Sequence, residues 1–107
     1  MNCNGFTRGL MAKNYSGEKF LLHVCDVIER QLNEWNDEYE VMVMKLVDYE
    51  LVVKKENQYY EMLISEKEID TLQNKSPFSL DRHVWKELER QGLEIVRGYG
   101  NYIESVM

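Results

Sequence analysis

The chain has 107 residues with a formal net charge of −6 and 44% hydrophobic residues, a size and composition that give one domain with a single core. No apolar run nears the ~18 residues that a membrane span requires, and the first residues hold no apolar core of signal-peptide length. The expected compartment is therefore the cytoplasm, with Cys3 and Cys25, the two cysteines, as reduced thiols.

Residues 1–15 are polar and carry Gly5 and Gly9; they are expected to be a flexible tail ahead of a single domain over residues 16–107. Ser16 is a natural helix cap, with Glu18 in the first turn. Phe20, Leu21, Val24, Val27, Ile28, Leu32 and Trp35 then recur at three- and four-residue spacing, which predicts one long helix with a broad apolar stripe. Asn36-Asp37 ends it. Cys25 falls at the edge of the stripe as an inert thiol, and His23 on its polar side.

Residues 39–64 contain neither Gly nor Pro and are rich in Val, Tyr and Met, as three antiparallel strands would be. A two-residue turn at Glu56-Asn57 sets Val53 against Tyr60, Leu51 against Met62 and Tyr49 against Ile64, one clean apolar face. A four-residue loop over residues 55–58 is the alternative. Residues 39–47 are apolar on both faces, so that strand is expected to be the most completely covered. Its exit near Asp48-Tyr49 is weakly marked, leaving a hairpin or a bend in one long strand.

Ser65 with Glu68 forms a capping box for a short helix from Glu66 to about Gln73, with Ile69 and Leu72 inward. Pro77 interrupts, Ser79 caps a second helix over residues 80–91, and Gly92-Leu93 fits a Schellman ending. Residues 93–97 and 102–106 read as a C-terminal hairpin turning through Gly98-Tyr99-Gly100-Asn101. The fold class expected is α+β: an antiparallel sheet, made of a three-strand meander plus the C-terminal hairpin, packed by one long N-terminal helix and two shorter ones.

Chemistry finds few footholds. His23, His83, Cys3 and Cys25 lack metal-ligand spacing, so neither metal nor cofactor is expected. Asp81 and His83 diverge on a helix, and no serine sits in a nucleophile elbow. Gly98-Tyr99-Gly100 opens no helix, so it fails as a dinucleotide fingerprint. The chain is read as a non-enzyme. A winged-helix DNA-binding regulator is the alternative reading. Arg82, Lys86 and Arg90 recur on the second short helix, and Arg97 stands at the base of the hairpin, which would be the wing. Residues 65–107 nevertheless hold eight acids against six bases, and nucleic acid is not the preferred partner.

The acid excess is local. Residues 26–50 carry a balance of −6 while residues 1–19 carry +2. Asp26, Glu29, Glu34, Asp37, Glu38 and Glu40, with Tyr39 as an anchor, are the expected partner-binding residues: an anionic patch that steers a protein with a basic surface. Exposed tyrosines would add contact area. By analogy of size, acidity and missing chemistry, such a chain suits an inhibitor of a basic, nucleic-acid-handling protein. Inhibitors of that kind occur in phages and mobile elements, anti-CRISPR proteins among them. A homo-oligomer subunit is the blander reading.

Overall fold

Alternation of side chains over residues 39–64 builds the sheet, and the rest of the chain covers one side of it. A computed structural model describes residues 1–98 and 100–107. In chain order the elements are α1 (Gly5–Asn14), α2 (Gly17–Trp35), β1 (Tyr39–Lys45), β2 (Tyr49–Lys55), β3 (Gln58–Ile64), α3 (Glu66–Lys75), α4 (Ser79–Arg90) and α5 (Tyr102–Val106). The fold is α+β, and the strands lie antiparallel in the order β1-β2-β3.

The β2–β3 register is the one the apolar pattern requires: Val53 faces Tyr60, Leu51 faces Met62 and Tyr49 faces Ile64, and all six are buried. Lys55 pairs with Gln58, so Glu56-Asn57 is a two-residue turn. The left-handed position falls on Glu56, at φ 53°, rather than on the more tolerant Asn57. β1 and β2 join through residues 46–48, where Leu46 donates to the Asp48 carbonyl at 2.9 Å, so the exit from β1 is a hairpin and not a bend. One expectation is reversed. β1 is an edge strand with Met42 and Met44 in the open, whereas the central β2 is the covered one.

α2 lies on the inner face of the sheet. Ser16 accepts from the Lys19 amide at 3.2 Å, and Phe20, Leu21, Val24, Val27, Ile28 and Leu32 are buried in the main core. Cys25 is buried with them, and Trp35, half-buried, packs on Trp85 with ring centroids 5.6 Å apart. Glu29 accepts from the Val41 amide of β1 at 2.8 Å. On the far edge of the sheet, the Gln91 side chain accepts from the Glu61 amide at 3.1 Å and donates to the Glu61 carbonyl at 2.7 Å.

The local signals after the sheet are built as read. Ser65 and Glu68 form the reciprocal capping box. α4 ends in a Schellman motif: Leu93 donates to the Leu88 carbonyl at 3.0 Å and Gly92 to that of Glu89 at 2.9 Å, with Gly92 at φ +99°. Ser79, by contrast, is not the cap of α4. Phe78 occupies that place, and the buried Ser79 hydroxyl is hydrogen-bonded to that of Ser76.

The two ends of the chain depart from expectation. Residues 1–15 hold helix α1 instead of a flexible tail. Asn4 caps it by accepting from the Phe6 and Thr7 amides, and the buried Gln73 side chain donates to the Ala12 and Tyr15 carbonyls at its end. No C-terminal hairpin forms among the described residues; Tyr99, in its expected turn, lies outside them. Residues 102–106 form helix α5 instead, with Tyr102 and Val106, four apart and so on one face of the helix, both fully buried and Ile103 buried beside them. Gly100, at φ +102°, leaves room for Met1, whose carbonyl any Cβ there would strike. That carbonyl accepts from the Tyr102 amide at 3.0 Å.

Candidate functional site

The helices cover one face of the sheet, and the other carries the surface with most to offer a partner. Register sets its side chains in three rows: Glu40, Lys54 and Tyr59; Met42, Val52 and Glu61; Met44, Glu50 and Leu63. Met42, Met44, Tyr59 and Leu63 are 40%, 49%, 56% and 63% exposed, and Leu46 and Val47 continue the apolar surface into the β1–β2 loop. Three glutamates and one lysine share this face, and Lys54 lies over the Tyr59 ring, 5.8 Å from its centroid. At the far end of the sheet Glu38 and Glu56 are neighbours. The hydrogen bond between their carboxyls and the charge of Glu56 push Glu38 above its usual range.

Several members of the acidic segment are engaged within the chain. Asp26 pairs with Arg30 at 2.7 Å, and Glu34 accepts from the Met1 amino group at 3.0 Å. Glu29 is half-buried and committed to the edge of β1. Tyr39 is buried in the core and offers no anchor. Asp37, Glu38 and Glu40 remain exposed, and Glu40 alone of the segment stands on the open face. Of the tyrosines described, Tyr59 is the exposed one.

The cations of the regulator reading are mostly engaged within the chain. Arg82 donates to the Ser105 carbonyl at 2.9 Å, Arg90 makes two hydrogen bonds to Glu87, and Arg97 reaches Glu104 at 3.4 Å. Lys86 is exposed. With α5 in place of a second strand, the wing that reading needs is not formed among the described residues.

A second constellation lies deep among the helices, with little in the sequence to announce it. Arg8 of α1 and Asp81 of α4 form an ion pair at 3% and 0% exposure. Tyr102 donates to Asp81 at 2.5 Å and receives the Trp85 indole N–H at 3.0 Å. Phe20 and Phe78 flank the guanidinium, 5.8 and 5.0 Å from it. Burial pushes the Asp81 carboxyl up, while Arg8 and the Tyr102 hydroxyl pull it down. Burial and the Asp81 charge drive the Tyr102 phenol well up. This knot ties three helices together but presents no nucleophile or open acid to a substrate. Burial likewise pushes Cys25 up to about 12, a protonated and unreactive thiol at neutral pH. Among the described residues, no group of three or more His, Cys, Asp or Glu could share a metal ion, and no helix is long and apolar enough to cross a membrane.

Compared with family models, curated proteins and solved structures, the chain matches none.

Proposed function

We infer that this chain is a non-enzymatic protein that acts by binding another protein through the open face of its sheet. The observation that carries the reading is the exposure of Met42, Met44, Tyr59 and Leu63 on one surface, together with Glu40, Glu50 and Glu61. Contiguous exposed apolar surface is uncommon on a protein without a partner. Methionine adapts its shape to a contact, and tyrosine gives a large contact area at low entropic cost. The charge of the face selects the partner. Three carboxylates against one ammonium favour a protein with basic residues around an apolar contact, and a second copy of this chain would set glutamate against glutamate. Proteins that handle nucleic acid carry basic surfaces for phosphate. An acidic cytoplasmic chain occupying such a surface would act as an inhibitor, the role held by anti-CRISPR proteins of phages and mobile elements.

The test is a triple substitution, Met42→Ser with Met44→Ser and Leu63→Ser, compared with the parent by circular dichroism and by nuclease-treated capture from native host extract. A photo-crosslinking residue at position 44, with a second at position 67 as control, locates the contact. The reading expects folding to survive, capture to fail, and adducts to form from position 44 only. It is overturned if the triple variant captures the same protein as tightly as the parent, or if capture disappears with nuclease. A dimer of the parent that the substitution dissolves would assign the face to self-association instead.

A further inference from the structure

The open face is not flat. Between β2 and β3, Glu50, Glu61 and Leu63 line a hollow of about 380 Å³, room for one long side chain, with Met62 at its margin. In the register Glu50 faces Leu63 and Val52 faces Glu61. The two glutamates are therefore diagonal neighbours, ~7–8 Å apart at the backbone, and Leu63 adjoins both. Acids elsewhere, such as Asp26, Glu66 and Glu87, hold a cation of the chain. Among the described residues, the carboxylates of Glu50 and Glu61 take part in no ion pair. Lys54, the one cation of the face, lies over the Tyr59 ring instead. Glu61 is also fixed in place, because the Gln91 side chain holds both its amide and its carbonyl. Its carboxylate thus projects from backbone that a partner need not order.

We propose, resting on the reading of the open face as the docking surface, that this hollow seats one arginine of the bound protein. Its guanidinium donates to Glu50 on one edge and to Glu61 on the other, and its hydrocarbon stem lies against Leu63. An apolar anchor in that place would cover two carboxylates and pair neither. A cation with methylene groups satisfies both the charge and the apolar flank. Lysine and arginine each bring such a stem, and the spacing separates them. A guanidinium is planar, carries N–H groups along opposite edges and sheds water more readily than an ammonium, so it spans two carboxylates set diagonally. An ammonium is a compact, strongly hydrated charge that sits against one carboxylate and leaves the other unpaired.

The experiment titrates ¹⁵N-labelled protein at constant ionic strength with the peptide acetyl-Trp-Arg-Leu-amide, beside its lysine version and its citrulline version, the neutral isostere of arginine. Saturable shifts are expected at the Glu50, Glu61 and Leu63 amides, with a Kd of about 1–10 mM for a ligand of this size. Citrulline should bind roughly tenfold more weakly, for want of charge, and lysine about threefold more weakly, for want of the second contact. Glu50→Gln with Glu61→Gln should bring the arginine peptide down to the citrulline level. Asp37→Asn with Glu40→Gln removes as much charge from exposed positions outside the hollow and should change binding less than about twofold. Equal binding of the citrulline peptide, lysine binding as tight as arginine, or no saturable shift at the hollow amides overturns the proposal. So does an arginine preference that survives the double Gln substitution. The citrulline and lysine comparisons use the parent chain and stand whatever the variants do. None of these results touches the wider face, which the serine triple decides by capture; a triple variant that keeps its partner removes the face, and the seat with it.

Discussion

The sheet and the Arg8 knot stabilise the same domain by different means. In the sheet, partners such as Val53 and Tyr60 lie close in the chain, meet by alternation and bury apolar surface. In the knot, Arg8 and Asp81 are 73 positions apart, Asp81 and Tyr102 are 21 apart, and each contact is directional. Apolar packing weakens in proportion to what is removed. A buried polar knot fails when one member leaves, because the remaining charge has neither water nor partner. The first region resists gradual change, and the second demands that its members be kept or lost together.

The largest effect expected comes from splitting the knot. Arg8→Met alone should cost about 3–5 kcal/mol, the usual loss on stranding a buried charge, and adding Asp81→Leu should restore most of it. Urea unfolding of the two singles and the double measures this coupling. A double variant as weak as the sum of the singles would show that the pair does not act as a unit. On the sheet side, Ile28→Ala should cost about 2–5 kcal/mol with no partner substitution able to rescue it. Its loss should add to that of Arg8→Met to within about 0.5 kcal/mol, and a larger departure would erase the distinction between the regions. The smallest effect lies where the two meet. Glu87 bonds both Arg90 and the Gln91 amide that reaches β3, and these bonds hold its carboxyl down to about 2. A depressed carboxyl contributes stability that is full above the unfolded value of ~4.3 and lost as pH falls through the folded one. Glu87→Gln should therefore lower the urea midpoint slightly at about pH 6 and match the parent near pH 2. A gap that persists in acid would mean that Glu87 acts by shape and not by charge.

The same contrast governs what was legible in the sequence. The β2–β3 register, the α2 stripe, the Ser65–Glu68 box and the Gly92 ending are local or periodic, and each is built as read. α1 escaped because its buried residue is an arginine, so an apolar periodicity cannot register it. Asn4 as a cap was the one available signal. Asp81 carries no mark of burial, because nothing near it in sequence announces Arg8. β1 departs in another way: apolar side chains on both faces imply cover on both, yet Met42 and Met44 are left exposed on the open face. In the acidic segment, Glu29 and Tyr39 look like surface residues by type, but one is committed to the edge of β1 and the other to the core. Near the C-terminus, glycines mimic a hairpin turn, and a five-residue helix is too short for alternation and helical spacing to be told apart by pattern alone.

The hydrogen bonds that Glu29 and Gln91 make to the margins of the sheet have a further consequence. Gln91 presents an amide to Glu61 as a neighbouring strand would, and the Glu29 carboxylate occupies the Val41 donor on the opposite side. A three-stranded ribbon is otherwise an invitation to lateral growth, by recruiting a foreign strand or by stacking copies into fibres. Here one residue on each margin is already engaged by a side chain of the same molecule. A foreign strand would meet an occupied position on either edge, whereas the broad face stands open.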